Sequence, residues 1–258
     1  MSMPKILTHV SLKGIVQEKS NYRECLVMSK FEYTMGKELD LKAEQAKTLE
    51  KPTIKPKGFL IFLVWVMDLI YGKERTLPKF KVIETLARYP YWAWENCSYH
   101  RITKTYTSTK PADKKINELS LRHIEFGREA QDNEQWHLML IEDIMRQKGI
   151  KMGWLKGSLI PFLMACGYYF LTRAMYYIRP QWSFAMNAAF ESHAEHQYML
   201  IVSEHPEWEN ESVDTDYFQY YPRQKSLADL LRRIGLDERD HMFTSLEEYE
   251  ALTGKSYL

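Results

Sequence analysis

Cysteine is scarce in this chain, and what there is stands apart. Cys25, Cys97 and Cys166 form no CxxC pair, which excludes a disulfide framework and a thiolate zinc site and suits a reducing compartment. An excess of charge of one sign is also missing. Lys+Arg number 35 against 34 Asp+Glu, a formal net charge of +1, so nothing pulls the chain as a whole toward nucleic acid. There is no glycine-rich phosphate loop, no GxSxG and no repeat of solenoid period. No stretch alternates apolar and polar residues over a useful length, which removes β-sheet and leaves an all-α chain. No run of about 20 apolar residues is free of interruption, as a comfortable membrane span needs. The opening MSMPKILTHVSLKGIVQEKS lacks the apolar core of a secretory signal and is short of the Arg and Ser of a transit peptide. It reads as a mature or prokaryotic-type product, phage-encoded ones included.

What is present is aromatic and helical. Phe, Trp and Tyr make up 14% of residues, and Trp and Tyr in such numbers suit a membrane interface. Residues 1–55 end in KAEQAKTLEKPTIKPKG, a Lys- and Pro-rich connector without helical period, and are taken as an arm and linker ahead of a helical domain over 56–258. GFLIFLVWVMDLIYG (58–72) is apolar apart from Asp68, and GSLIPFLMACGYYFLTRAMYYI (157–178) carries Pro161 and Arg173. Both read as core helices or, preferably, as helices lying in one leaflet with Trp, Tyr and Arg at the headgroups. Helical period also runs through 79–106, where Pro90 predicts a kink, and through 116–145, 182–202 and 225–249. TSTKPADKK (107–115) is a polar loop. On 116–145 the expected inner stripe is Leu121, Ile124, Gln131, Glu134, Leu138 and Ile141. On 225–249 it is Leu227, Leu230, Leu231, Ile234, Glu238 and His241.

Two of these helices repeat one pattern. DNEQWHLM (132–139) and LDERDHM (236–242) each place a histidine three residues after a glutamate: Glu134 with His137, and Glu238 with His241. Residues three apart share a helix face, so each pair can offer a carboxylate oxygen and an imidazole nitrogen to one cation. Charged groups on an apolar stripe need compensation, and a cation supplies it. In a di-metal carboxylate bundle two helices give Glu-x-x-His and two others give one Glu each. The remaining long helices provide Glu84, between Ile83 and Leu86, and Glu191, on a stripe with Phe184, Asn187, Ala188, Ala194 and Tyr198. Carboxylates with imidazoles suit two iron or manganese ions. Asn133 and Asp237, each one residue ahead of a pair, are placed to orient ligands. Tyr198 lies two turns from Glu191, within reach of a hydrogen bond to a ligand or of electron supply, although an ordinary core tyrosine fits as well. His193, Glu195 and His196 compete with Glu191, which spacing favours.

The order Glu84, Glu134-x-x-His137, Glu191, Glu238-x-x-His241 resembles that of the alternative oxidases, membrane-bound di-iron quinol oxidases. IETLARYPY, NEQWHLMLIED, FLTRAMYYIRPQWSFAM, FESHAEHQY and SLADLLRRIGLDERDH look like the plastid terminal oxidase branch, and the likeness runs from about Phe59 to His241. The resemblance implies a ferritin-like four-helix bundle holding two iron ions, with two more apolar helices on one leaflet (monotopic) and a homodimer. The implied reaction oxidises two quinols, plastoquinol or ubiquinol, and reduces O2 to water, cyanide-resistant and without proton pumping. It implies further that Tyr198 is the family's essential tyrosine, that Asn133, Asp237 and Tyr217 support the ligands, and that Lys79, Ile83, His193 and Ala194 meet the quinol. Lys79 stands where the family usually has arginine, and Tyr99 where it has a histidine. The implied location is a thylakoid or plasma membrane of a photosynthetic cell, or else the inner mitochondrial membrane. Two rivals share the sequence features: a membrane-associated di-iron hydroxylase of a quinone precursor, and a non-catalytic helical membrane-surface protein.

Overall fold

The structure, a computed structural model, describes residues 29–107 and 113–258. Contacts divide the chain between Tyr33 and Thr34. Of the first unit, residues 29–33 are described and are non-helical. Residues 1–28 of the expected arm, Cys25 and most of the 107–115 loop lie outside the described residues.

The second unit is helical, and among the described residues there is no strand. Its helices are α1 (Leu41–Glu50), α2 (Phe59–Tyr71), α3 (Leu77–Thr107), α4 (Lys114–Gln147), α5 (Ile160–Ile178), α6 (Pro180–Glu204) and α7 (Leu227–Thr253). The ends are written locally. Asp113 accepts from the amides of Lys115 and Ile116 to start α4, and Ser226 accepts from that of Asp229 to start α7. Pro180 opens α6, and Gly254 at φ +67° closes α7. A π-helical turn, Leu155–Leu159, leads into α5.

Four helices make the bundle. Tyr91 meets Glu191 and Trp94 meets Ser183, so α3 and α6 are antiparallel. Arg88 pairs with Gln135 and Glu95 with Arg128, so α3 and α4 are antiparallel too. His137 beside Asp237 and His123 beside Glu248 orient α4 against α7, and Asn187 beside Ser245 orients α6 against α7. The ring α3–α4–α7–α6 therefore alternates in direction, with α5 as the crossover from α4 to α6. Two apolar plugs fill its interior. One contains Phe80, Leu140, Ile141, Tyr198, Leu230 and Leu231, the other Tyr91, Trp94, Phe126, Tyr176 and Phe184. A third cluster, including Leu60, Leu63, Met67, Ala165 and Tyr168, fastens α2 and α5 to the bundle's side.

Two expectations need correction. The connector at 42–58 is helical over its first part, as α1, and residues 34–55 go with the helical unit. α1 docks through polar groups: Gln45 Nε2 donates to Met199 O at 2.7 Å and Thr48 Oγ1 to Glu195 at 2.7 Å. No apolar stripe is needed, so no period shows in the sequence. The inner stripe of α4 keeps Ile124, Glu134 and Ile141 of the expected one but not Leu121, Gln131 or Leu138. Leu121 is 52% exposed and Leu138 is half-buried, while His123, Phe126, Ala130, Glu134, His137, Ile141 and Ile144 face inward. Pro90 lies inside α3, which runs as one helix to Thr107.

α2 and α5 are apolar on both faces. α2 buries Leu60, Leu63 and Met67 and exposes Ile61, Phe62, Trp65 and Leu69; α5 exposes Phe162, Leu163, Phe170 and Ile178. Among the described residues no helix is long and apolar enough to cross a membrane.

Candidate metal centre and adjoining cavity

Midway along the bundle, between the two apolar plugs, four carboxylates and two imidazoles converge. Glu84 comes from α3, Glu134 and His137 from α4, Glu191 from α6, and Glu238 and His241 from α7. They form two overlapping groups whose donor atoms lie within 4.8 Å of one another: Glu84, Glu134, His137, Glu238, and Glu134, Glu191, Glu238, His241. Glu134 and Glu238 belong to both. All six are buried. His137 Nδ1 stands 3.5 Å from Glu84 and from Glu134 and 3.2 Å from Glu238; His241 Nδ1 stands 2.8 Å from Glu134.

The electrostatics are those of a site built around positive charge. Burial, and then the neighbouring Glu238 and Glu134, push the carboxyls of Glu84 and Glu191 well above the usual range. Burial by itself would lower both imidazoles, yet the surrounding carboxylates raise His137 and His241 well above their ordinary value. Burial would likewise raise Glu134, but the two imidazoles beside it hold it well below the carboxylate range. Protons thus do the balancing that a cation would do.

Hydrogen bonding indicates the same. Glu84 Oε2, Glu191 Oε2, both oxygens of Glu134 and of Glu238, His137 Nδ1 and both nitrogens of His241 are buried without a hydrogen-bond partner. Such atoms are costly to bury unless something binds them. The outward-facing atoms are held. Tyr198 donates to Glu84 Oε1, and Tyr91 and Asn187 donate to Glu191 Oε1 at 2.7 and 3.0 Å. His137 Nε2 lies 3.2 Å from Asp237 Oδ2, which also accepts from Tyr221, while Arg233 donates to Asp237 Oδ1. This sets the Nε2–H tautomer and turns the Nδ1 lone pair to the centre. The residues present fit two cations with carboxylate and imidazole ligands.

Spacing singled out these six ligands, and the competitors face elsewhere. Glu195 accepts from Thr48 and Arg239, and His196 meets Lys51 O and Ser192 O. Other expectations are adjusted. Tyr217 is half-buried in a short 3-10 turn, Asp216–Gln219, and its amide bonds only locally; Tyr221, four residues on, is the one that reaches Asp237. Asn133 Oδ1 is buried without a partner. Tyr91, Asn187, Tyr221 and Arg233 were not foreseen. Asn187 lies one turn before Glu191 and Arg233 one turn before Asp237, the signals available in sequence; Tyr91 and Tyr221 come from separate elements.

Lys79, Ile83, His193 and Ala194 all line one cavity of about 220 Å³ between α2, α3 and α6. Leu63, Met67 and Phe190 form its apolar wall. Lys79 Nζ donates to Asp68 at 2.6 Å and to Gly72 O at 2.8 Å, which accounts for the lone acid of α2. His193 is held below the ordinary imidazole value by burial and by Lys79. Ile83 adjoins Glu84, and Phe80, in the cavity wall, packs on Tyr198 with ring centroids 4.4 Å apart. The cavity thus lies one residue from the carboxylate cluster.

Comparison with known proteins adds two findings. A stretch of 146 residues, 55% of this chain, is 27% identical to "Ubiquinol oxidase 4, chloroplastic/chromoplastic" of Arabidopsis thaliana, spanning 37% of that protein's length. Residues 39–247 match the family model "Alternative oxidase". With most of the chain inside that match and the paired Glu-x-x-His helices in place, the chain belongs to the alternative oxidase family.

Proposed function

We propose that the protein is a di-iron quinol oxidase that oxidises two quinols and reduces O2 to two water molecules. The observation that carries this is the pairing of an orphaned carboxylate–imidazole cluster with an apolar-walled cavity one residue away. Glu134 and Glu238 would serve both metals, with Glu84 and His137 completing one ligand set and Glu191 and His241 the other. Two bound irons supply the redox change that O2 reduction requires.

The chain's own residues do the rest. Leu63, Met67 and Phe190 receive the apolar part of the quinol, while Lys79 and His193 meet its polar head. His193, kept neutral, accepts a hydroxyl proton as the quinol is oxidised. Tyr198, between the cavity wall and Glu84, is placed to relay an electron or proton. Asp237 and Tyr221 hold His137, and Tyr91 and Asn187 hold Glu191. The apolar plugs above and below exclude bulk water from the cluster.

The substrate explains the surface. A quinol with an isoprenoid tail dissolves in the bilayer, so its oxidase must open at a leaflet. α2 and α5 supply an apolar face without spanning; Trp65 and Arg173 stand on those helices, and exposed Trp92 and Trp182 on α3 and α6. Family resemblance extends the proposal to a homodimer on a thylakoid or plasma membrane, with plastoquinol as substrate.

An oxygen-electrode trace on iron-loaded protein with a short-chain quinol tests the reading. Cyanide-resistant uptake, abolished by Glu191→Ala or His241→Ala in folded protein, is expected. Uptake by the wild type no faster than autoxidation overturns it, and recovery of a hydroxylated quinol product identifies a hydroxylase instead.

A further inference from the structure

We infer that a second, basic pocket at the edge of the apolar face binds the phosphate of an anionic phospholipid. The pocket measures about 580 Å³ and lies where α2 ends, α3 begins and the 148–156 loop crosses them. Arg75, Lys148, Lys151 and Lys156 line it, with His205, and no carboxylate is among the lining residues. Glu204 pairs with Arg75 and Glu211 with Lys148 from outside. Lys156 donates to Ile70 O at 2.7 Å, which pins the loop to the end of α2. Lys151 has no ion-pair partner among the described residues and is exposed. The walls are therefore net positive beyond their own pairing.

Two features make the ligand a lipid rather than a passing anion. Leu77 and Pro78, at the N-terminus of α3, border the pocket, and the first turn of this 31-residue helix holds no acidic residue. Its positive dipole end adds to the lysines. Exposed apolar groups adjoin the lining residues along the chain: Leu69, two residues before Tyr71, is 69% exposed, and Trp154 and Leu155, between Gly153 and Lys156, are 71% and 53% exposed. A free anion has no use for them, whereas a phospholipid places its phosphate among the cations and its acyl chains along these residues. Cations beside an exposed tryptophan are also what the headgroup layer selects.

The inference rests on the reading of α2 and α5 as a leaflet-facing surface, and the test separates the two. Flotation of the full chain is compared on vesicles of phosphatidylcholine alone and of phosphatidylcholine with about a third phosphatidylglycerol. Partition onto the neutral vesicles reads the apolar face; the gain on the anionic ones reads the pocket. Lys151→Gln is expected to cut that gain about fivefold, and Lys151→Gln with Lys156→Gln about twentyfold, from the usual worth of a lysine at an anionic surface. Lys104→Gln, near the other end of α3, is expected to leave it unchanged. Thermal melts confirm that each variant folds, and the exposed Lys151 keeps the test open if the double variant does not. Equal wild-type partition onto both vesicles overturns the inference, as does an equal loss in Lys104→Gln. Calorimetric binding of inorganic phosphate without a vesicle preference overturns it in favour of a free anion.

Discussion

Asp237 makes more contacts around the candidate metal centre than its place beside a ligand would suggest. It accepts from Tyr221 and Arg233 and faces Nε2 of His137, and these donors hold its carboxyl well below the usual range although burial alone would raise it. Asp237→Asn keeps the volume but loses the charge that orients His137. It is expected to lower iron affinity about 10–100-fold, measured as iron retained per chain after stepwise chelation. At this scale the six ligands were legible because helical spacing by itself puts Glu and His on one face. Tyr221 was not. It reaches Asp237 from a non-helical stretch between α6 and α7, and no spacing rule joins a loop residue to a helix it does not belong to.

Close approach of helices decides how well the ligand set is held. A Cβ on Gly127 of α4 would stand 2.9 Å from the backbone oxygen of Tyr91, nearer than packed atoms come. Gly127→Ala must therefore push α3 and α4 apart beside the tyrosine that holds Glu191. The expected cost is about 1–3 kcal/mol in denaturant unfolding, as for other overpacked cores, together with slower turnover in the proposed quinol oxidation. On α7 a Cβ at Gly235 would lie 3.0 Å from both Tyr198 and Met199, so this contact is tight as well. Most helices were legible at this scale from their apolar periods. α1 was not, because its buried positions are Glu44, Gln45 and Thr48, and docking by hydrogen bond and ion pair leaves no hydrophobic period to read.

Across the whole molecule, two buried groups of titratable residues tie stability to conditions. In the candidate metal centre, four carboxylates share one buried layer. Removing bound metal is expected to lower the Tm, by the equivalent of about 4 kcal/mol where free metal exceeds its Kd a thousandfold, as calorimetry with and without chelator would read. Earlier on α4 His123 sits between Tyr176 and Glu248, with Arg122 on the same carboxylate and Arg101 over the Tyr176 ring. Burial holds His123 below its ordinary value despite Glu248. His123 and Arg122 hold Glu248 low although burial opposes them. Both groups thus bind fewer protons folded than unfolded, so stability rises with pH. The contribution of His123 is complete above the unfolded imidazole value of about 6.5 and is lost as pH falls below it, while that of Glu248 is lost only below the carboxylate value of 4.5. The drop in Tm between neutral and mildly acid pH is expected to be smaller in His123→Gln than in the wild type.

The sequence by itself determined the class of fold and the chemistry of the centre. Helical period and the doubled Glu-x-x-His are properties of single helices, set by a rise and turn that do not depend on what the helix meets. Lys79, Ile83, His193 and Ala194 were named only through family likeness, and the folded chain brings them to one cavity. What the tertiary structure alone decided is everything that needs two elements at once. It turned α4 so that His123 and Phe126 face inward instead of Leu121, and it gave Asp68 its partner in Lys79. It also gathered Arg75, Lys148, Lys151 and Lys156 at the margin of an apolar face. A chain with net charge +1 has no basic character to announce in its composition. The pocket exists because folding brings four cations together and, among the described residues, pairs only Arg75 and Lys148 with carboxylates, Glu204 and Glu211.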